Sequence, residues 1–227
     1  MATMYDIIMG LPLFKGISVE QVSRFLEKTH VEIIRYGDGE QIVRSGEVCH
    51  RLMFVISGKC LVTRRVAEGE ATINQLSGCG KLLCASNLFG MERESAESAV
   101  AIGHAGVLAF SKSQYMDLLQ TDPIYLLNYF NYLSFCAQRC ASALSGYSQA
   151  SVSRILGVWL MAFTESDSEK IWIDCNDGVL SRITGQSEGR VESSLSMLAG
   201  KKLIERREDG IRILDRSALI DSASEAE

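Results

Sequence analysis

The stretch from residue 177 to residue 215 constrains the fold of this chain more than any other. It reads DGVLSRITGQSEGRVESSLSMLAGKKLIERREDGIRILD. Leu180 and Ile183 give a short helix its apolar side, a tight turn follows at 185–186, and Ser187 is a favourable N-cap for a second helix. Two helices joined by a turn of three or four residues that contains Gly form a helix-turn-helix.

A hairpin follows the second of these helices. The segments KLIER and IRIL have the apolar alternation of short strands, and the Asp209-Gly210 pair between them is a strong hairpin signal. A helix-turn-helix followed by a hairpin predicts a winged helix. Such a unit also serves a purely structural role in protein-interaction modules, so its surface residues decide between functions.

The second helix has an apolar face and an opposite face of small or hydrogen-bonding residues. Val191, Leu195 and Leu198 lie on the apolar face at about 100° per residue. Small polar groups can approach base edges closely, and basic side chains just beyond them can contact phosphates. The residues that we expect to contact DNA are Ser187, Glu188, Gly189, Arg190, Ser193, Ser196, Lys201, Lys202, Arg206, Arg207 and Arg212.

The charge balance restricts where a nucleic acid could bind. The chain has a net charge of −5, and residues 151–227 carry 10 basic and 14 acidic side chains. Positive charge is therefore local, with five basic and three acidic side chains in residues 201–212. Because phosphate contacts dominate affinity for DNA, a protein-interaction module that has lost DNA binding stays an alternative.

Residues 31–110 have the sequence pattern of a β domain. Short apolar runs such as VEIIRY, RLMFVISG, ATINQL and GVLAF alternate with turns that contain Gly. Strands at this spacing predict a sandwich or barrel. A β domain built only for stability would have the same pattern, so this part alone indicates no function.

A long helix is predicted after Pro123, with two apolar stripes at spacings of three and four residues. One stripe favours pairing with a parallel copy of the same helix, and a core helix of a monomer is the alternative. This predicted dimer seam consists of Leu126, Tyr129, Leu133, Cys136, Cys140, Ala143 and Tyr147. The stripe expected to cover the β domain consists of Leu127, Phe130, Ser134, Ala137, Ala141 and Leu144.

The order of these parts resembles the Crp/Fnr transcription regulators over residues 10–215. The segments that carry the resemblance are LPLFKGIS, RYGDGEQIVRSGE, FVISGKCLV, GKLLCASNLF, LLQTDP, SRIL and GVLSRITGQSEGRVESSLSMLAGKKLI. The resemblance implies an α+β fold. Its parts are a β-roll sensor domain (a double-stranded β-helix, jelly-roll-like) over 1–122, a dimerisation helix over 123–147 and a winged helix-turn-helix domain over 148–227.

The resemblance also implies partners and a mode of action. We expect a cytoplasmic, bacterial homodimer whose two recognition helices enter successive major grooves of a double-stranded operator. RNA polymerase is a further candidate partner. Operator-reading members of the family carry Glu and Arg four residues apart on that helix. These positions correspond here to Gly189 and Ser193, so we expect a different operator.

The segment GKLLCASNLFG departs from the nucleotide-binding members of the family. Those members carry Gly-Glu and, later, Arg-Ser or Arg-Thr. The corresponding positions are Cys84-Ala85 and Ser95-Ala96, with Arg93 displaced. A buried phosphate without a cation costs several kcal/mol, so we expect a small effector more apolar than a cyclic nucleotide, and no cofactor. The expected effector-pocket residues are Leu83, Cys84, Ala85, Ser86, Arg93, Ser95, Ala96, Tyr132 and Cys140.

Three alternatives remain open. The regulator could act without an effector, its pocket filled by side chains such as Leu83 and Tyr132. It could respond to thiol oxidation or to a metal through Cys84 and Cys140, although buried cysteines mostly serve as small apolar residues. A metal-dependent, cupin-like enzyme would need convergent His ligands, and the chain has three scattered His and no HxH, so we expect no enzyme and no metal site. No apolar run predicts a membrane span, and no signal peptide is expected.

Overall fold

The computed structural model describes residues 4–28, 31–145 and 151–224. The chain divides into a first unit, Met1–Leu61 with Gly78–Phe135, and a second unit, Val62–Ser77 with Cys136–Glu227. This division differs from the predicted domain boundaries, because the segment Val62–Ser77 belongs to the second unit and the long helix contributes to both. The predicted combination of helices and antiparallel sheet is confirmed.

The described residues form eight α-helices and nine β-strands, and the longest irregular segment among them is 84–96, between β5 and β6. In chain order they are α1 (Met4–Met9), α2 (Val19–Lys28), β1 (Glu32–Tyr36), β2 (Gln41–Val43), β3 (Arg51–Val66), β4 (Ala71–Ser77), β5 (Leu82–Leu83), β6 (Glu97–Ser111), α3 (Lys112–Thr121), α4 (Pro123–Ser145), α5 (Val152–Phe163), β7 (Lys170–Asp174), α6 (Asp177–Thr184), α7 (Glu188–Gly200), β8 (Ile204–Arg207), β9 (Gly210–Ile213) and α8 (Arg216–Ser224). No helix among the described residues is long and apolar enough to cross a membrane.

The first unit is built on β6, which pairs antiparallel with β1 and β2 and lies beside β3. Strand β5 pairs with β3 through Met53↔Leu83 and Phe54↔Leu82. Its core contains a cluster of buried aromatic rings, in which Phe14, Phe54 and Phe110 are mutually within 6.1 Å. Aromatic side chains bury large apolar areas, so this cluster anchors the N-terminal helices to the strands.

In the second unit the antiparallel strands β4, β7, β9 and β8 pair in that order, and the end of β3 lies beside β4. Strand β4 pairs with β7 from Thr72↔Asp174 to Leu76↔Lys170, and β7 pairs with β9. A Cβ added to Gly210 would lie 2.1 Å from the Ile173 carbonyl oxygen, so the first residue of β9 has to be glycine where this strand pairs with β7. The buried residues of α5, α6, α7 and α8 join this sheet in one apolar core.

Helix α4 begins at Pro123, as predicted, but its buried face is not the predicted one. In the first unit Tyr129 is 4% exposed, and its hydroxyl donates a 2.8 Å hydrogen bond to the Ala85 carbonyl oxygen. Leu127 and Phe130, which we expected to cover the β domain, are 56% and 55% exposed. Both stripes have heptad spacing. Tyr129 is buried because it packs against residues distant in sequence, such as the ring of Tyr115.

The other members of the two predicted stripes are exposed to different degrees. In the predicted seam, Leu126 and Cys140 are exposed, Leu133 and Cys136 are half-buried, and Ala143 is buried; Tyr147 lies outside the described residues. In the other stripe, Ser134, Ala137 and Ala141 are exposed. The exposed face of α4 therefore includes the stripe Leu127, Phe130, Ser134, Ala137 and Ala141, together with Leu126, Phe135 and Cys140; the side chain of Leu144 lies outside the described residues.

Candidate functional site

The first candidate site is the helix-turn-helix of the second unit. Helix α6 begins after Asn176, whose side-chain oxygen accepts a 2.9 Å hydrogen bond from the Val179 N–H. It ends at Gly185, which adopts a left-handed conformation with φ 65°. The Ser181 hydroxyl donates to the Gln186 carbonyl oxygen at 2.6 Å across the turn. These local bonds fix the position of α7 relative to α6.

Helix α7 buries one face and exposes the other. Val191, Leu195 and Leu198 are at most 1% exposed and belong to the core of the second unit. Every residue that the sequence predicts as a DNA contact is exposed, from Ser187 in the turn to Arg212 in the hairpin. The Ser193 hydroxyl donates to the Gly189 carbonyl oxygen at 2.7 Å, so that hydroxyl bonds its own helix backbone.

The basic side chains of this surface form two groups. Arg206 makes two 2.9 Å hydrogen bonds to the Asp177 carboxylate, which raises the pKa of the Arg206 guanidinium. Arg212 bonds Glu205 at 3.2 Å. For the other four, Arg190, Lys201, Lys202 and Arg207, no ion pair with another described residue is present. These four are the cations best placed to meet phosphates.

A cleft beside the hairpin adds two residues that the sequence interpretation missed. The cleft has a volume of about 490 Å³ and is lined by Lys170, Trp172, Glu205, Arg207 and Arg212. Lys170 and Trp172 lie on β7, where Trp172 is opposite Arg212. No local pattern could have indicated them, because the pairing of β7 with β9 joins residues about forty positions apart in the chain.

The second candidate site is the segment of the first unit where the family resemblance places an effector. Leu83 and Ala85 are buried, and Ser86 and Ala96 are exposed. Ser95 is buried, and its hydroxyl donates to the Glu97 carbonyl oxygen at 2.8 Å. At the position of the family's anion-binding Arg, this chain has the Ser95 hydroxyl, which is already hydrogen-bonded to Glu97. At the position of the family's Glu, it has the methyl group of Ala85.

The remaining predicted pocket residues are spread more widely. Tyr132 packs at the edge of the first unit's core. Cys140 belongs to the second unit, where it lines a cavity with residues such as Arg64 and Phe163. Arg93 is half-buried, and its Nε is buried without a hydrogen-bond partner among the described residues.

Cys84 is paired in the first unit with a cysteine that the sequence interpretation did not single out. The Cys84 thiol is in hydrogen-bonding contact with Cys49, and both line a cavity of about 260 Å³. This contact, with the charge of Arg93, lowers the pKa of Cys49 despite its burial. The same contact, with burial, raises the pKa of Cys84. The two cysteines are 35 positions apart, so only the fold brings them together.

Comparisons with known proteins agree with this architecture. Residues 33–122 match the family model of the cyclic nucleotide-binding domain. The crystal structure of Thermus thermophilus catabolite activator protein is similar over 94% of this chain and 98% of its own, with a TM-score of 0.51 and 23% identity. A CRP/FNR-family transcriptional regulator from Thermus thermophilus has a TM-score of 0.49 and 18% identity, over 86% of this chain and 100% of its own. A comparison with curated protein sequences finds no match.

These findings confirm the resemblance at the level of fold. Residues 33–122 are similar to the cyclic nucleotide-binding domain, and the chain shares its fold with the catabolite activator protein. At 23% identity, the likeness to the catabolite activator protein shows the fold alone.

Proposed function

We propose that this chain is a homodimeric, DNA-binding transcriptional regulator of the Crp/Fnr type, and not an enzyme. The observation that carries the proposal is helix α7, which buries Val191, Leu195 and Leu198 and exposes every predicted DNA contact. A helix held in this way by a preceding helix and a turn is the arrangement that enters a major groove. Arg190 on this helix, with Lys201, Lys202 and Arg207 beyond it, supplies cations for phosphates and base edges.

The second copy needed for two half-sites is proposed to bind the exposed face of α4. Leu127 and Phe130 are more than half exposed on that face, and Ser134, Ala137 and Ala141 continue it at heptad spacing. Apolar residues at this spacing pair two parallel helices. Analytical ultracentrifugation tests this directly. Leu127→Glu should give a monomer, whereas Met116→Glu, a matched change at an exposed apolar residue of α3, should leave the dimer intact.

The proposed effector is small. The cavity beside Cys84 has a volume of about 260 Å³, which is below the roughly 300–1,000 Å³ of ordinary ligand pockets. Ile34, Val43 and Met53 give it an apolar lining. Because Ser95 stands where nucleotide binders of this family have a cation, we propose a ligand other than a cyclic nucleotide. Regulation without an effector is the rival proposal, favoured by the burial of Leu83 and the packing of Tyr132.

The proposed route from effector to DNA runs along β3. This strand begins in the first unit and ends in the hairpin of the second unit, whose other strand, β4, pairs with β7. Buried side chains support that pairing. The Asn74 amide donates to the Asp174 carboxylate at 2.7 Å, and Ser168 donates to the Gln75 side-chain oxygen at 2.8 Å. An effector that shifts β3 would thereby bias the position of the recognition helix.

Selection from a random double-stranded DNA library, followed by fluorescence anisotropy on the enriched sequence, tests DNA binding. Lys201→Ala should weaken binding to all sequences and reduce its salt dependence, whereas Arg190→Ala should also change the preferred sequence. Arg44→Ala is the control, since Arg44 is an exposed arginine of the first unit. A protein that enriches no sequence and binds no DNA at low salt would be a protein-interaction module instead.

A further inference from the structure

We propose that Cys49 and Cys84 form a peroxide-responsive switch that closes as an intramolecular disulfide inside the first unit. The chemical step is independent of DNA binding. Its effect on transcription rests on the proposed function above.

The geometry of the two thiols carries this proposal. Both line the same cavity of about 260 Å³, and each thiol has the largest effect on the pKa of the other. Exposed residues such as Glu47, Val48 and His50 also line this cavity, so it reaches the surface. A small oxidant can therefore reach Cys49, although that side chain is only 4% exposed.

The backbone around the pair is held by bonds to distant segments. The Cys49 N–H donates to the Arg93 carbonyl oxygen at 2.7 Å, and Val48 forms a β-bridge with Glu94. Cys84 follows β5 directly and adopts φ 65°, a left-handed conformation that is unfavourable for a non-glycine residue. The backbone of Cys49 is therefore held by its bond to Arg93, and that of Cys84 by its place next to the paired strand β5.

The surroundings assign different roles to the two sulfurs. The Cys84 thiol and the charge of Arg93 favour the thiolate of Cys49, and burial and Glu97 oppose it. The Arg93 Nε is buried without a hydrogen-bond partner among the described residues, so it can donate to an anion formed nearby. Cys84 stays protonated, because burial and the Cys49 sulfur raise its pKa. Cys49 is therefore the attacking sulfur and Cys84 the resolving one.

The oxidant is hydrogen peroxide, and the reaction has two steps. The Cys49 thiolate attacks one peroxide oxygen, the O–O bond breaks, and the products are a Cys49 sulfenic acid and hydroxide, which takes up a proton to become water. The Cys84 sulfur then attacks the sulfenic sulfur, and the S–O bond breaks to release a second water as the thiol proton is transferred. In sum, two thiols are oxidised to one disulfide while one peroxide is reduced to two waters.

Closure of this bond has a defined structural consequence. It ties Cys49 to the segment that continues into Ala85, whose carbonyl oxygen accepts the Tyr129 hydrogen bond from α4. The disulfide would also remove the two thiol groups from the cavity wall. We therefore expect oxidation to rigidify residues 80–90 and the part of α4 that contacts them.

Tryptic mapping of the full-length protein tests the disulfide directly. Cleavage after Arg44, Arg51, Lys81 and Arg93 gives the peptides SGEVCHR and LLCASNLFGMER, each with one cysteine. Peroxide should yield these two peptides joined, and dithiothreitol should separate them. Cys84→Ser should leave a Cys49 sulfenic acid that dimedone traps, and Cys49→Ser should abolish both products. Cys79→Ser, at an exposed cysteine, is the control and should leave the joined peptides unchanged.

Two further measurements decide whether the disulfide acts as a switch. Hydrogen exchange of the Leu82–Arg93 peptide should slow on oxidation in the wild type and not in Cys84→Ser. DNA affinity should change in parallel, and only in the wild type. Peroxide that oxidises exposed Met91 yet joins no Cys49–Cys84 peptides would overturn the proposal, as would a disulfide that changes neither exchange nor affinity. A protein that binds DNA in neither redox state would refute the proposed function and leave the disulfide standing.

Discussion

Replacing Tyr129 by Phe removes one buried hydrogen bond and keeps the aromatic ring. The Tyr129 hydroxyl donates to the Ala85 carbonyl oxygen at 2.8 Å, and its ring lies 5.4 Å from that of Tyr115. Tyr115 provides a matched control next to it. The Tyr115 hydroxyl is buried without a hydrogen-bond partner among the described residues, and burial raises its pKa. The same chemical change at two touching rings should therefore have opposite effects on stability.

The expected magnitudes follow from what each substitution leaves behind. Tyr129→Phe removes the donor to the Ala85 carbonyl oxygen. Because Ala85 is only 3% exposed, the loss should lower the free energy of unfolding by about 1–3 kcal/mol. Tyr115→Phe removes an unpaired polar group from the core, which should stabilise the first unit by about 1 kcal/mol. Because the rings touch, the double variant should deviate from additivity.

The assay has to distinguish unfolding of the first unit from unfolding of the second, and the positions of the tryptophans allow this. Its two tryptophans, Trp159 and Trp172, both belong to the second unit, so their fluorescence should be insensitive to either substitution. Urea unfolding followed by hydrogen exchange of the Leu82–Arg93 peptide should show faster exchange for Tyr129→Phe and slower exchange for Tyr115→Phe. Equal shifts in the same direction would refute the assignment of these two hydroxyls.

Three other predictions concern packing, thiol reactivity and charge. Gly58→Ala should destabilise the first unit by about 2–4 kcal/mol in urea unfolding, because the new Cβ would lie 1.8 Å from the His104 carbonyl oxygen. Gly103→Ala, at a similar φ in open space, should cost about 1 kcal/mol, and equal losses would contradict the contact. Iodoacetamide at pH 8 should label Cys79 well before Cys175, since burial raises the pKa of Cys175 to about 11 and leaves about one thiolate in a thousand; equal rates would contradict that burial. DNA affinity should fall steeply with salt, and a flat dependence would contradict phosphate contact.

Local signals carried most of what could be predicted from the sequence. Ser187 precedes α7 as the predicted N-cap residue. The predicted hairpin between β8 and β9 is present, but its turn is Glu208-Asp209, one residue before the predicted pair, because Gly210 already pairs with Arg207 as the first residue of β9. These features depend on residues within one turn of each other. The contact of Cys49 with Cys84 depends on the pairing of β5 with β3, and no local pattern encodes that pairing.

The faces of α4 show a different limit. Its two stripes have the same spacing of three and four residues, so the sequence alone could not show which one is buried in the first unit. The hydroxyl of Tyr129 settles the question, since it reaches a backbone carbonyl at Ala85 that exists only in the folded segment. Leu127 and Phe130 have no equivalent partner and remain exposed. The heptad pattern of α4 therefore predicts two possible buried faces. The hydrogen bond of the Tyr129 hydroxyl identifies the one that is buried.

The sheet of the second unit indicates how a signal in β3 could reach the recognition helix. Strand β4 covers one side of β7, so the winged helix has no open edge there. The other edge strand, β8, carries exposed Glu205, Arg206 and Arg207, which oppose pairing with a further strand. Withdrawing β4 would expose the backbone groups of β7 and leave Asn74 and Gln75 without their bonds. A regulatory movement is therefore expected to carry β4 and β7 together, and Asn74→Ala should weaken the response to effector or oxidation more than it weakens basal DNA binding.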